Sequence, residues 1–169
     1  ERVAGWAVPR LLHGAIAPSR GVARELVDVF GFKRSRVHAI HNGFDFDRIR
    51  ELGAAPVLRE KRRPWVVTSC RLSVQKDFRT LLLACRMLQD LDFELVIVGE
   101  GEQRAAIEAW TEEFGLRDRV FLAGFDANPF RWMSRADVFV LSSFLEGFGN
   151  VLVEAMLLEV PVISTDCPW

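Results

Sequence analysis

The sequence predicts an α/β fold built on a parallel sheet with helices on both faces, and three observations carry that prediction. Short, nearly continuous apolar runs, WVVTS at 65–69 and FELVIV at 93–98, have the character of strands buried on both faces. Stretches of helical period, at about 78–89 and 101–114, stand between such runs. The two kinds of segment alternate along the chain, as parallel strands joined by crossover helices must. With 169 residues, half of them apolar, the chain can bury a sizeable core.

Residues 13–18, HGAIAP, read as a short strand that ends at Ser19, an N-cap residue type. The helix after it, over about 20–30, carries Val22, Leu26, Val29 and Phe30 at spacings near three and four, and Gly31 stops it. VHAI, within 36–40, is a second strand, and Asn42-Gly43 a turn. From Arg48 to Pro64 the chain is charged and irregular, with Glu60, Lys61, Arg62 and Arg63 crowded before the proline, so a linker is expected over 51–63. Beyond it come the strand at 65–69, the helix at 78–89 and the strand at 93–98. The helix at 101–114 places Ile107, Trp110 and Phe114 on one face, and the next strand covers 119–123. A short helix at 129–135, a strand at 138–141, a helix at 150–158 and a strand at 161–164 complete the pattern. The helix at 150–158 is apolar nearly all round, which is expected of a buried helix. The aromatic residues Trp110, Phe114, Phe121 and Trp132 read as packing residues.

Charge and composition narrow the function. Lys and Arg number 22 against 23 Asp and Glu, so the net charge of -1 gives no general attraction to nucleic acid or to an anionic membrane. The cysteines Cys70, Cys85 and Cys167 are odd in number, distant, and without zinc-type spacing, the pattern of thiols in a reducing, cytoplasmic compartment. No run approaches 18 apolar residues, and ERVAGWAVPRLL lacks the basic start and long apolar core of a leader. A start without Met and a stop at Trp169 are expected of a fragment. Asp45, Phe46 and Asp47 spell a DxD, which chance explains better than metal binding, and no metal site is expected. His13, His38 and His41 have no spacing that makes a catalytic set.

The stretch from Leu141 to Met156, LSSFLEGFGNVLVEAM, is the chemical centre of the sequence. An apolar strand ends at Ser142 and Ser143, Glu146 stands beside Gly147 and Gly149, and a helix follows with Glu154 on it. Glycines at a helix start let an anionic or hydroxyl-rich ligand reach N–H groups that lack intrahelical partners. CRLSVQKD leaves the end of the 65–69 strand and brings Arg71 and Lys76 to the same rim of a parallel sheet. Two cations and a helix N-terminus suit a diphosphate, although solvated side chains explain the two cations equally well. Glu154, on an apolar helix, calls for a ligand or a cationic partner.

CRLSVQKDF, VGEGEQR, FLAGF and SSFLEGFGNVLVEAMLLEVPVISTDCP together resemble the donor-sugar domain of the GT-B glycosyltransferases. The similarity is to the large retaining group 1 family that includes sucrose and lipopolysaccharide glycosyltransferases, with Glu146 and Glu154 at the positions of its E-x7-E motif. The resemblance implies a Rossmann-like donor domain over 64–169, incomplete at its C-terminal end. It also implies that residues 1–50 are the last strand, helix and strand of an acceptor domain, with the linker at 51–63 between them. By position, Arg71 and Lys76 would hold the nucleotide diphosphate, Glu154 the ribose hydroxyls, and Glu146 the donor sugar. The amides of Phe148, Gly149 and Asn150, beside Gly147, would meet phosphate or sugar hydroxyls, and Phe125 would line the nucleobase pocket. The donor would be a nucleotide-sugar, UDP-linked as the commonest case, with no cofactor or metal. The acceptor would be a saccharide or a lipid-linked sugar, reached through the missing domain, as would any peripheral membrane contact. Two positions depart from the family: Cys70 and Glu159 stand where glycine is usual. Cys70 would crowd the phosphate loop, and Glu159 in a left-handed conformation would cost about 1 kcal/mol relative to glycine. A phosphorylase or epimerase on the same fold, and a binding module with a lapsed site, are the alternatives. Without the acceptor domain, weak donor binding and no sugar transfer are expected of this chain.

Overall fold

The computed structural model describes residues 11–167, so most of the stretch read as lacking a leader, together with Pro168 and Trp169, lies outside the described residues. The chain forms two compact units. The first comprises the described residues up to Gly43, the short segment Leu145–Gly149, and Cys167. The second comprises Phe44–Phe144 and Asn150–Asp166.

In the first unit, β1 (Ala15–Ala17) and β2 (Val37–Ala39) pair in parallel, and α1 (Arg20–Asp28) crosses between them. Ser19 caps α1 as its sequence context predicts, its hydroxyl accepting the Val22 N–H at 3.1 Å. Gly31 turns the chain out of the helix at φ 73°, and the next amide, of Phe32, returns to the Leu26 carbonyl at 3.0 Å.

The second unit is a five-stranded parallel sheet in the order β5-β4-β3-β6-β7. Its strands are β3 (Trp65–Ser69), β4 (Glu94–Val98), β5 (Val120–Gly124), β6 (Val138–Leu141) and β7 (Val162–Ser164). The crossover helices are α3 (Phe78–Met87), α4 (Arg104–Glu113), α5 (Phe130–Met133) and α6 (Asn150–Leu157). Because side chains alternate along a strand, the apolar runs feed two cores. Leu95 and Ile97 of β4 join Leu81, Leu82, Ile107 and Phe114 on one face, while Val96 and Val98 join Trp132, Met133, Phe139 and Ala155 on the other. That two-sided burial is why the strands read as continuous apolar runs. Phe114 and Trp132 are buried, and Trp110 and Phe121 pack against the two cores from their margins.

Two expectations are corrected. The region from Arg48 is not irregular: α2 spans Phe46–Gly53, and by its contacts it belongs to the second unit, which begins at Phe44. Asp45 is its N-cap, accepting the Arg48 N–H at 2.9 Å, so the first aspartate of the DxD has a structural task. The C-terminal carbonyls of α2 are taken up by side chains around α5: Asn128 Nδ2 donates to Leu52 at 2.9 Å and the Ser134 hydroxyl to Gly53 at 2.6 Å. With Ile49 as the only large buried residue of α2, its apolar stripe was too short to stand out from its charges. Residues 57–63 then follow the amino rim of the sheet, where Arg59 pairs with Glu94 and lies 3.8 Å over the Phe121 ring. The second correction concerns α6, which is not buried all round. Only Ala155 is fully buried, Met156 is exposed, and the rest of its apolar residues are half-buried.

The end of α6 is a Schellman motif. The Val160 amide donates to the Ala155 carbonyl and the Glu159 amide to Met156, both at 3.0 Å, which forces Glu159 to φ 62°. Glu159 is exposed and carries this left-handed conformation with a Cβ in place. Glu159→Gly is therefore expected to raise stability by about 1 kcal/mol, read as a higher urea midpoint with an unchanged m-value.

Candidate functional site

The chain builds β3, β4 and β5 outward in one direction, then returns to place β6 on the other side of β3. In an open parallel sheet, such a reversal leaves a crevice outside the carboxyl ends of the two strands that flank it. Here those strands are β3 and β6. Cys70–Asp77 leaves the first and Ser142–Phe144 the second, and the two segments are tied together. The Phe144 amide donates to the Gln75 carbonyl at 3.0 Å, and the Ser142 hydroxyl donates to the Lys76 carbonyl at 2.7 Å. The Thr165 hydroxyl, just beyond β7, donates to the Ser143 carbonyl.

The segment after β3 is also zipped to the segment after β4. The Cys70 amide donates to Val98 at 3.1 Å, Leu72 to Glu100 at 2.9 Å, and Gln103 back to Leu72 at 2.9 Å. The backbones approach so closely that a Cβ on Gly99 would stand 2.0 Å from the Cys70 carbonyl oxygen, and one on Gly101 would stand 2.4 Å from that of Leu72. The glycines of VGEG are thus required by this contact. Cys70 itself has no left-handed backbone and its side chain is accommodated, lining a cavity of about 350 Å³ with Ser69, Arg71, Gly99, Phe125 and Asp126. A larger cavity, about 730 Å³, lies at the amino rim beside Arg59, Glu94 and Phe121. Its arginines are engaged by neighbouring carboxylates, and it lies at the opposite ends of the strands from the reversal. The smaller cavity is the better candidate.

The two predicted cations differ in setting. Arg71 is 74% exposed, and its guanidinium lies 3.2 Å from the Glu102 carboxylate. Lys76 closes a single 3-10 turn, Val74–Lys76, in which the Lys76 amide donates to the Ser73 carbonyl and the Asp77 amide to that of Val74. Asp77 follows at φ 46°, a left-handed residue that is also the N-cap of α3. Its carboxylate accepts the Thr80 amide at 3.3 Å and the Thr80 hydroxyl at 2.7 Å. Sequence reasoning missed the roles of Asp77 and Glu102. The D-x-x-T spacing that caps α3 was a readable signal for the first, while the second depends on which loops the sheet brings together.

Glu154 lies on α6, half-buried, and among the described residues no hydrogen-bond donor meets its carboxylate. Desolvation by burial raises its pKa above the ordinary glutamate value. Phe125 is 77% exposed at the cavity, beside Asp126, which accepts from Trp132 Nε1 at 2.6 Å and pairs with Arg131 at 2.7 Å. Burial pushes the Asp126 carboxyl up, but the Asn128 amide, Trp132 and Arg131 outweigh it and hold it below the usual range. Asn150 opens α6.

Arg71, Lys76, Phe125, Asn150 and Glu154 therefore belong to the second unit, whereas Glu146, Gly147, Phe148 and Gly149 belong to the first. Within that first unit, a Cβ on Gly147 would meet Pro18 and Val22 at 3.9 Å. The Phe148 ring lies 5.4 Å from that of His41, whose Nδ1 is 3.0 Å from the Pro18 carbonyl. Gly149 has φ 71°, so the residue that leads into α6 needs to be glycine-like. Among the described residues no three His, Cys, Asp or Glu side chains are grouped to hold a metal ion, and no helix is long and apolar enough to cross a membrane. None of the three cysteines forms a disulfide, and burial pushes the Cys85 thiol up to about 11.

A parallel sheet with this strand reversal is Rossmann-like, and its structural neighbours are GT-B glycosyltransferases. The chain belongs to the glycosyl transferases group 1 family, whose model matches residues 52–169. It is 31% identical over 149 residues to a Campylobacter jejuni N-acetylgalactosamine-N,N'-diacetylbacillosaminyl-diphospho-undecaprenol 4-alpha-N-acetylgalactosaminyltransferase, covering 88% of this chain and 40% of that protein. It is 32% identical over 172 residues to the 2-deoxystreptamine glucosyltransferase of Streptomyces kanamyceticus, covering 94% and 44%. Anabaena HepE in complex with UDP-glucose matches with a TM-score of 0.82 at 26% identity, over 98% of this chain and 48% of that one. The sucrose-phosphate synthase of Thermosynechococcus elongatus shares the fold, with a TM-score of 0.80 at 24% identity over 99% and 45%. The chain thus spans less than half the length of these relatives.

Glu154 supplies a pH test. A carboxyl whose folded-state pKa lies above its unfolded value is most favourable to folding below the unfolded value, and that contribution is lost as pH rises through the folded one. Glu154→Gln is accordingly expected to match the parent's stability near pH 4 and to exceed it at about pH 7, measured by urea unfolding at the two pH values.

Proposed function

We propose that this chain is the donor-binding portion of a retaining, metal-independent nucleotide-sugar glycosyltransferase, with a UDP-sugar as donor. The observation that carries the reading is the placing of Arg71 and Lys76 on the segment that leaves β3 at the strand reversal, beside the cavity lined by Phe125. The HepE complex with UDP-glucose supports the choice of donor.

In this reading Arg71 and Lys76 hold the diphosphate. Breaking a glycosyl-diphosphate bond leaves an oxocarbenium-like sugar and builds negative charge on the departing phosphate. Fixed cations at that phosphate stabilise the transition state more than the ground state, which is how they lower the barrier without a metal. The amides of Phe148, Gly149 and Asn150, with Gly147 giving close access, contribute N–H dipoles to the same charge or to sugar hydroxyls. Glu154 receives the ribose hydroxyls. A half-buried carboxylate that meets no donor among the described residues fits a ligand that brings donors of its own. Glu146 faces the donor sugar, and Phe125 lines the nucleobase pocket. The names of the Campylobacter relative and of the lipopolysaccharide core glycosyltransferase LpsE of Rhizobium meliloti support a lipid-linked or saccharide acceptor, met by parts of the longer protein. A cytoplasmic site of action is the reading that the odd number and wide spacing of the cysteines in the sequence support.

Calorimetric titration of UDP-, GDP- and ADP-sugars tests the reading. The parent is expected to bind one nucleotide class, and Lys76→Ala and Arg71→Ala each to weaken it about tenfold or more, the range for a charge-assisted hydrogen bond to phosphate. Equal binding by Lys76→Ala would remove that lysine from the diphosphate site. Absence of binding to all three nucleotides would leave a module without a working donor site.

A further inference from the structure

We infer that Glu102 is an internal counter-ion for Arg71, which holds the guanidinium over the cavity mouth in the unliganded chain and which a donor diphosphate must displace. The inference rests on the donor-binding reading and adds a residue that controls donor affinity and release.

The VGEGEQR segment carries two carboxylates, and the structure gives them different partners. Glu100 pairs with Arg104, four residues on and in the first turn of α4, where Arg104 is also held by Glu108 at 2.9 Å. Glu102 instead reaches across to another loop and meets Arg71 at 3.2 Å. The contact is prepared by the backbone. The Leu72 amide donates to Glu100 and the Gln103 amide donates back to Leu72, so the residue before Leu72 and the residue before Gln103 are held side by side. Neither loop can drift, because Gly99 and Gly101 pack directly on the carbonyls of Cys70 and Leu72. Glu102 is held in its charged form by its own backbone N–H and, against slight burial, by Arg71.

A carboxylate and a phosphate present the same acceptor geometry to a guanidinium, so Glu102 occupies the position that a phosphate oxygen would take. Both partners of the pair are exposed, so the bond is weak and readily exchanged. Once displaced, Glu102 leaves a negative charge near a negative ligand. Both effects oppose donor binding, and both favour departure of the nucleoside diphosphate.

Titration of UDP at low salt against the parent, Glu102→Gln, Arg71→Ala, the double variant and Glu108→Gln tests the inference. Glu108→Gln removes one negative charge from α4, one turn beyond that segment, without touching Arg71. Glu102→Gln is expected to bind UDP about three- to tenfold tighter than the parent, with the gain shrinking as salt rises. The gain should be largely lost in the Arg71→Ala background, and Glu108→Gln should bind as the parent does. Unchanged or weaker binding by Glu102→Gln overturns the inference alone if the parent binds UDP and Lys76→Ala weakens it. A full gain without Arg71, or an equal gain from Glu108→Gln, also overturns it, since the effect would then be general repulsion. No UDP binding by any variant, in a chain whose circular dichroism shows it folded, overturns the inference together with the donor reading.

Discussion

The candidate site depends on one close contact, the packing of the Gly99–Gly101 backbone on the Cys70–Leu72 backbone. It extends the β3–β4 pairing past the ends of the strands and leaves no room for a side chain on either glycine. Everything the site offers a ligand on that side is carried by the two segments so joined: Arg71, the turn that bears Lys76, and the Glu100–Glu102 carboxylates. A second tie, from Ser142 and Phe144 to the carbonyls of Lys76 and Gln75, couples the same segment to the end of β6. A loop fixed from both sides holds its cations at little conformational cost when a ligand arrives, which is what preorganisation means energetically.

The charged groups on this frame differ in their setting. Arg71 lies in water and has a carboxylate partner, so it attracts an anion at range but discriminates weakly. Glu154 is the opposite case. It is half-buried, unmatched by any donor among the described residues, and raised in pKa by desolvation. A carboxylate in that condition has lost hydration, and a partner that brings hydrogen-bond donors would offset the loss only in a particular geometry. In the donor-binding reading proposed above, the exposed cation would set the rate of encounter and the shielded carboxylate the choice of ligand.

Most of the sheet was legible because its central strands β3 and β4 are buried on both faces and its helices follow a clean period, so local pattern and tertiary setting agree. The Ser19 cap and the left-handed Glu159 were readable for the same reason, since each is a local backbone requirement. Arg71, Lys76 and Glu154 were legible as residues in a pattern. What was not legible depends on contacts distant in sequence. α2 hides among charges because much of what stabilises its end comes from Asn128 and Ser134, more than 70 residues away. The half-exposure of α6 could not be read, since its apolar composition says what it can bury and not what covers it. Cys70 looked like an obstacle only because glycine is usual there. Its backbone is not left-handed, and the glycine that the contact requires is Gly99.

Among the described residues two non-glycine residues adopt left-handed backbones, Asp77 and Glu159, each at a helix end, the first beside the candidate site and the second at the opposite rim of the sheet, just before β7. Their situations are not equivalent. Asp77 offsets its strain, because the conformation that costs it free energy also turns its carboxylate onto the Thr80 amide and hydroxyl at the start of α3. Replacing it by glycine would relieve the backbone and lose the cap, so the residue type is a compromise that the loop can hold. It is also the residue after Lys76, so the strain is spent where it turns the chain from the cation-bearing loop into the helix. Glu159 makes no such bond among the described residues. Its backbone is left-handed because a Schellman ending leaves no other course before Val160, which is buried in the core. A left-handed backbone is therefore no mark of function by itself. At Asp77 it is tied to the shape of the cation-bearing loop, and at Glu159 it follows only from how a helix stops.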